Sequence, residues 1–229
     1  MNTYALATFS RWLLEGIVVA AGLSGLIRFR RLPLSLRYVA LVAGFDMVME
    51  LTSLALTWVV RMKYLKSNLF MGPLSSIGEV LLLTLAYRQA LQSATFNRVM
   101  PWVVGLFGLY ALADALAGLS VIRFATGVQI TSDLLQLGLA MLYFWKLLSE
   151  LRVERLRADP FFWISVGLVI YVLGDILITL VSNYLLAHYS RELQFFIILV
   201  VRPFFIATLY CAYLLALWTR PPKPNLFNS

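Results

Sequence analysis

Apolar residues run in seven long stretches, at about 8–28, 38–61, 71–93, 100–118, 126–149, 161–185 and 196–218. Each approaches or exceeds the roughly 20 residues that a helix needs to cross a bilayer. Arg28, Arg30, Arg31 and Pro33 close the first stretch, and Pro101 and Pro160 fall near the starts of the fourth and sixth, where a missing N–H costs a helix little. The polar residues inside these stretches recur at helical spacing. Asp46, Glu50, Ser53 and Thr57 stand at i, i+4, i+7 and i+11 of the second and so form one stripe. Ser75 and Glu79 are one turn apart in the third. Gln129, Asp133 and Gln136 share a face of the fifth, and Asp175, Thr179, Ser182 and Asn183 a face of the sixth. Asp114 lies in the fourth and Arg202, followed by Pro203, in the seventh. A charge turned to lipid costs about 2.5–3.5 kcal/mol by insertion scales, so the stripes are expected to face the interior of a bundle.

Composition narrows the class. The 229 residues are 61% hydrophobic and 13% charged, with a mean hydropathy of +0.84, against about 25% charged in soluble domains. The expectation is an all-α polytopic membrane protein, a seven-transmembrane-helix bundle forming one membrane domain over 1–229. The formal charge of +8 is then read as basic loops rather than as a nucleic-acid surface. Twelve Lys and Arg fall on the side that holds 28–37, Arg88, Arg98, Lys146 and 149–157, and six on the side that holds Arg11, Arg61 and Arg123. The positive-inside rule puts the N-terminus outside and the C-terminus in the cytoplasm, as in a multi-pass protein of a bacterial inner membrane. Small residues around Ala20–Ser24 resemble a signal-peptide cleavage region. Arg11 and Glu15 interrupt that apolar run and a basic cluster follows it, so an uncleaved first helix is expected. One cysteine, Cys211, and one histidine, His188, leave no intrachain disulfide and no His/Cys zinc site,; no metal or cofactor is expected. His188 reads as a solvated residue of an outer loop.

The charges carry the chemistry. Asp46, Glu50, Glu79, Asp114, Asp133 and Asp175 face a single intramembrane base, Arg202. They cannot all be ionised without partners, so protons, a cation or water must compensate them. Glu79, Asp133 and Arg202 lie roughly 9–12 Å below the outer ends of their helices, which implies a polar cavity opening outward. Glu79, Asp133, Asp175 and Arg202, with Gln129 and Asn183, are the candidate ligand-binding residues, and Asp46 and Glu50 the candidate proton or charge relay. Two blander readings stay open: Asp46 and Glu50 as bridges between helices, and Arg202 as an internal partner of Asp133, Asp175 or Asp114. Residues 196–218 contain no lysine, which excludes a retinal Schiff base there. Gly174-Asp175 matches only half of the Gly-x-Gly-Asp of intramembrane aspartyl proteases. No phosphate loop or nucleophile elbow is present, and no enzyme activity is expected.

The stretches "DPFFWISVGLVIYVLGDIL" and "VSNYLLAHYSRELQFFIILVVRPFFIATLYCAYLLAL" carry Phe162, Trp163, Ile164, Gly167, Tyr171 and Asn183, and Pro73 precedes Glu79 in the third run. In these features, over residues 70–93 and 159–217, the chain resembles a group of small, uncharacterised seven-helix membrane proteins of Bacteroidota-type bacteria. The resemblance implies the topology and the sensory membrane half of a signalling system. The expected function is a receptor-like or sensory protein that binds a small or amphipathic ligand in the outward cavity. Expected partners are membrane lipid, that unknown ligand and a cytoplasmic signalling partner at loops 28–37 and 149–157, with no nucleic acid. The rival is a proton- or cation-coupled small-solute transporter. A third reading is a carboxylate-based lipid-modifying enzyme built on Asp114.

Overall fold

The computed structural model describes residues 3–61, 71–118, 126–150, 156, 159–188 and 196–219, and all the regular structure among them is helical. Helix α1 (Thr3–Arg28) runs through a 3₁₀ turn (Phe29–Arg31) into α2 (Leu34–Arg61). Then come α3 (Met71–Leu91), α4 (Ala94–Gly118), α5 (Thr126–Ser149) and α6 (Pro160–His188). A π-helical turn (Ile197–Val201) leads into α7 (Arg202–Trp218). Helices α1, α2, α3, α5, α6 and α7 form a closed ring in which each packs on the next and α7 returns to α1. Helix α4 lies outside the ring, chiefly against α3.

Capping residues set several boundaries that hydropathy alone misplaces. Helix α4 begins at Ala94 because Ser93 caps it, its carbonyl accepting from Asn97 N at 3.0 Å and its Oγ standing 3.5 Å from Phe96 N,. Pro101 is therefore inside α4 rather than at its start. Lys146, in the last turn of α5, donates to the last carbonyls of α3, Ala90 O at 2.8 Å and Leu91 O at 3.0 Å, which otherwise have no helical partner. At the start of α6, Asp159 Oδ1 accepts from Phe161 N at 3.0 Å while the Tyr143 hydroxyl donates to the other carboxylate oxygen. Helix α6 runs on to His188, which is helical rather than part of a loop. In the basic segment 28–37, Arg28 donates to Leu217 O and lies over the Trp218 ring, and Arg37 donates to Leu32 O. Arg30 and Arg31 are exposed. Most of 149–157 lies outside the described residues.

The ring is filled by Leu36, Val39, Leu83, Leu139, Ile164, Leu168 and Leu217, all fully buried. Tyr87, Tyr143 and Phe161 pack edge on or tilted at 5.5–6.1 Å between centroids, and Tyr87 shares a 2.8 Å hydrogen bond with Ser165. The outer surface is apolar too: Leu106, Leu109, Leu116, Leu177, Leu180 and Phe204 are all exposed. Such a girdle is far larger than the apolar patches that soluble proteins tolerate. Among the described residues five helices are long and apolar enough to cross a membrane: α1, α2, α4, α6 and the π turn with α7. Helices α3 and α5, which carry two of the polar stripes, complete the ring. This is the surface of a membrane protein.

Candidate functional site

A cavity of about 280 Å³ opens between α1, α2, α3 and α7, with one residue of α6 on its wall. The stripe on α2 supplies Asp46, Glu50 and Ser53, and α1 supplies Leu14, Glu15 and Val18. The first turns of α3 contribute Ser75 and Glu79. Tyr171 comes from α6, and Tyr210 and Tyr213 come from α7. Asp46, at 7% exposure, and the three tyrosines are buried; Glu50 is exposed and Glu15 half-buried. The tapering follows the helices: lining residues nearer the Ser53 end of α2 and the Met71 end of α3 are the more open ones. Tyr210 and Tyr213 meet edge to face, 5.7 Å between centroids at 87°, so they present two ring surfaces at a right angle.

The acids of the wall differ in what they touch. Glu15 is paired with Arg11 at 2.9 Å. Glu79 accepts from Ser75 Oγ at 2.9 Å and stands 3.4 Å from Gln136 Nε2. Asp46 has a buried oxygen, Oδ1, with no hydrogen-bond partner, an omission that costs a buried polar group about 1–3 kcal/mol. Asp46 and Glu79 line the same cavity from α2 and α3, which meet where the Phe45 ring lies on Gly78. No lysine or arginine is among the described residues that line the cavity.

A second polar cluster stands beside the cavity. Arg202 grips the fully buried Asp175 with both arms of its guanidinium, Nε to Oδ1 at 2.7 Å and Nη2 to Oδ2 at 3.1 Å, the strong fork geometry of arginine with a carboxylate. Gln129 Nε2 bridges Asp175 Oδ2 at 3.3 Å and Asp133 Oδ1 at 3.4 Å. Gln136 links this cluster to the cavity through Glu79. The backbone around Arg202 is adapted to it. Pro203 has no N–H to offer Leu199 O four residues earlier, and Ser10 Oγ of α1 donates to that carbonyl at 2.6 Å.

Two glycines set both meeting points. A Cβ on Gly78 would overlap the Phe45 ring, and a Cβ on Gly174 would overlap the Phe205 ring. Each glycine thus lets a phenylalanine of the next helix lie on its backbone. The neighbouring residues are brought together in consequence: Glu79 beside Asp46, and Asp175 beside Arg202.

No family model, curated protein or solved structure matches the chain. The geometry alone therefore assigns the residues. Of the six candidate ligand-binding residues, Glu79 lines the cavity, whereas Gln129, Asp133, Asp175 and Arg202 do not and belong to the ion-paired cluster. Asn183 lies on α6, its side chain outside the described residues. Both relay candidates, Asp46 and Glu50, are on the wall, but Glu50 stands open at the mouth rather than buried mid-span. Thr57, the last of the stripe, is exposed and donates to its own helix at Ser53 O. Asp114 lies half-buried on peripheral α4, off the cavity wall. Sequence reasoning missed Glu15, Tyr171, Tyr210 and Tyr213. The spacing of Arg11 to Glu15, and of Tyr210 to Tyr213, was the available signal, since i,i+4 and i,i+3 pairs share a helix face.

Proposed function

We propose that the chain is a receptor-like, seven-span membrane protein with its N-terminus outside, and that it binds a small organic cation in the acidic, tyrosine-walled cavity. The charge of the wall carries this reading. Glu15, Asp46, Glu50 and Glu79 line one space with no described lysine or arginine, and only Glu15 has a cationic partner among its described contacts. Tyrosine faces attract cations by about 0.5–2 kcal/mol each, and a carboxylate in a water-poor site adds charge-assisted hydrogen bonds. At about 280 Å³ the space is at the small end of ligand pockets, roughly 300–1,000 Å³, which suits a compact amine. Arg202, the one base among the candidate ligand-binding residues, is held by Asp175, so the preference is for positive charge.

Mass spectrometry of gently solubilised protein tests this. An amine-bearing small molecule should co-purify with the natural chain and be depleted from Asp46→Asn. An acidic molecule, or identical contents in both, would contradict the reading.

One observation favours transport as a second reading. The π turn enters α7 with Pro203 in its first turn, just before Ile206, Leu209 and Tyr210 of the wall, and irregular helical backbone beside a cavity is typical of transporters. Uptake of radiolabelled choline into proteoliposomes separates the two, since a receptor moves nothing.

A further inference from the structure

Resting on the reading of the cavity as an organic-cation site, we infer that the site exchanges charge for charge: each cation that enters displaces one proton held between Asp46 and Glu79. The starting point is the set of charged and titratable groups that face this pair. From α1, Glu15 is matched by Arg11 at 2.9 Å. On α2, Glu50 stands exposed at the mouth. Behind Glu79, across Gln136, Asp175 is matched by Arg202 and bridged to Asp133 by Gln129. From α6 and α7 come Tyr171, Tyr210 and Tyr213, all neutral as phenols. Asp133 also keeps one buried oxygen without a partner, but it stands off the cavity wall. On the wall itself Asp46 and Glu79 are what remains: two carboxyls of adjacent helices that meet where Phe45 lies on Gly78, with no described cation beside them.

Two carboxylates in such a site cannot both ionise without a counter-charge, and the general solution is one proton shared by the pair. The pair then carries a single negative charge when the cavity is empty. An ammonium group brings one positive charge. If a carboxyl O–H bond breaks at the same time, its electron pair stays on oxygen and its proton passes to water at the mouth, beside Glu50. The interior keeps the same net charge before and after, which avoids the cost of adding a charge to a low-dielectric space. The unpartnered Oδ1 of Asp46 is the atom with unused acceptor capacity, while both oxygens of Glu79 already have neighbouring donors in Ser75 and Gln136. Asp46 is therefore the direct contact for the cation, and Glu79 the group that makes a second negative charge untenable.

Calorimetry with choline tests the exchange on the full chain in detergent micelles or nanodiscs. Choline is a fixed cation, so any proton released comes from the protein. Titrations at one pH in two buffers of different ionisation enthalpy give the number of protons released. The expected result is about one proton per choline, with affinity tightening about tenfold per pH unit across the range of release. Glu79→Gln should still bind choline, release close to no proton and lose the pH dependence. Binding heat that does not depend on the buffer would overturn the exchange and leave the cation site standing. A full proton still released by Glu79→Gln would overturn the assignment to this pair. No binding heat with choline, nor with phenylethylamine, would overturn the cation site itself. The buffer comparison needs only the natural chain, so the inference is decided even if the variant does not fold.

Discussion

The two polar clusters of this bundle are made of the same materials and end in opposite states. Both place carboxyls within apolar helices, and both are set by a glycine against a phenylalanine, Gly78 with Phe45 and Gly174 with Phe205. Beside Gly174 the acid meets Arg202 in a two-armed ion pair. Beside Gly78 the acids Asp46 and Glu79 line a cavity walled by three tyrosines. The difference is one guanidinium. On the proposed reading, the cluster to which the fold supplies a counter-charge is structural, and the one it leaves without is open to a ligand that brings one.

The largest effect should come from breaking the ion pair. Arg202→Leu leaves Asp175, at 0% exposure, buried without its partner, which costs about 3–5 kcal/mol. A marked fall in the thermal midpoint in detergent is expected. The double variant Asp175→Leu/Arg202→Leu should regain most of it, because removing both charges of a buried pair is often nearly neutral. Asp46→Asn should behave in the reverse way. It removes a charge that has no protein counter-ion, so stability should move by no more than about 1 kcal/mol. Choline affinity should fall at least about tenfold, the loss of about 1.4 kcal/mol or more of binding, read by calorimetry. If Asp46→Asn instead unfolds the protein, the stripe on α2 is scaffold and the contrast between the clusters fails.

The glycines sharpen the comparison at a smaller scale. Gly78→Ala and Gly174→Ala each force a phenylalanine ring to move, at about 1–3 kcal/mol. Only Gly78→Ala separates Asp46 from Glu79, so only that variant should also weaken choline binding. Equal effects on binding would mean that the two clusters are mechanically one. The smallest effect is expected of Ser10→Ala, which strips the Leu199 carbonyl of its donor for about 1 kcal/mol. That variant should leave choline affinity unchanged.

Much of this was legible along the chain. The stripes at i, i+4 and i+7 face inward because lipid tolerates no such row of charges, and the excess of acids over bases already implied a cavity. Which acid would meet Arg202 was not legible. That depends on which helices become neighbours in the ring and on their relative heights, and the signals for it were Gly174-Asp175 and Gly78-Glu79. The first looked like half of a protease motif; its role is close approach to Phe205. Glu15 was read as an interruption of an apolar run, although its place on the cavity wall follows only from the packing of α1 on α2. Tyrosines inside a membrane helix look like ordinary packing residues, and nothing in their spacing says that Tyr171 of α6 will face Tyr210 and Tyr213 across one space. Glu50, part of a stripe that faces the bundle interior, is nevertheless exposed. A cavity open at that level makes depth along a helix a poor guide to exposure.

The most direct test of the account is charge preference in the intact protein. Thermal unfolding of the natural chain would be followed with matched pairs of small ligands, choline and phenylethylamine against acetate and phenylacetate, beside the same series for Asp46→Asn. The account predicts that at least one of the two cations raises the midpoint of the natural chain in a concentration-dependent manner, that the anions do not, and that the effect is lost in Asp46→Asn. Stabilisation by the anions, or by cations equally in both proteins, would contradict it.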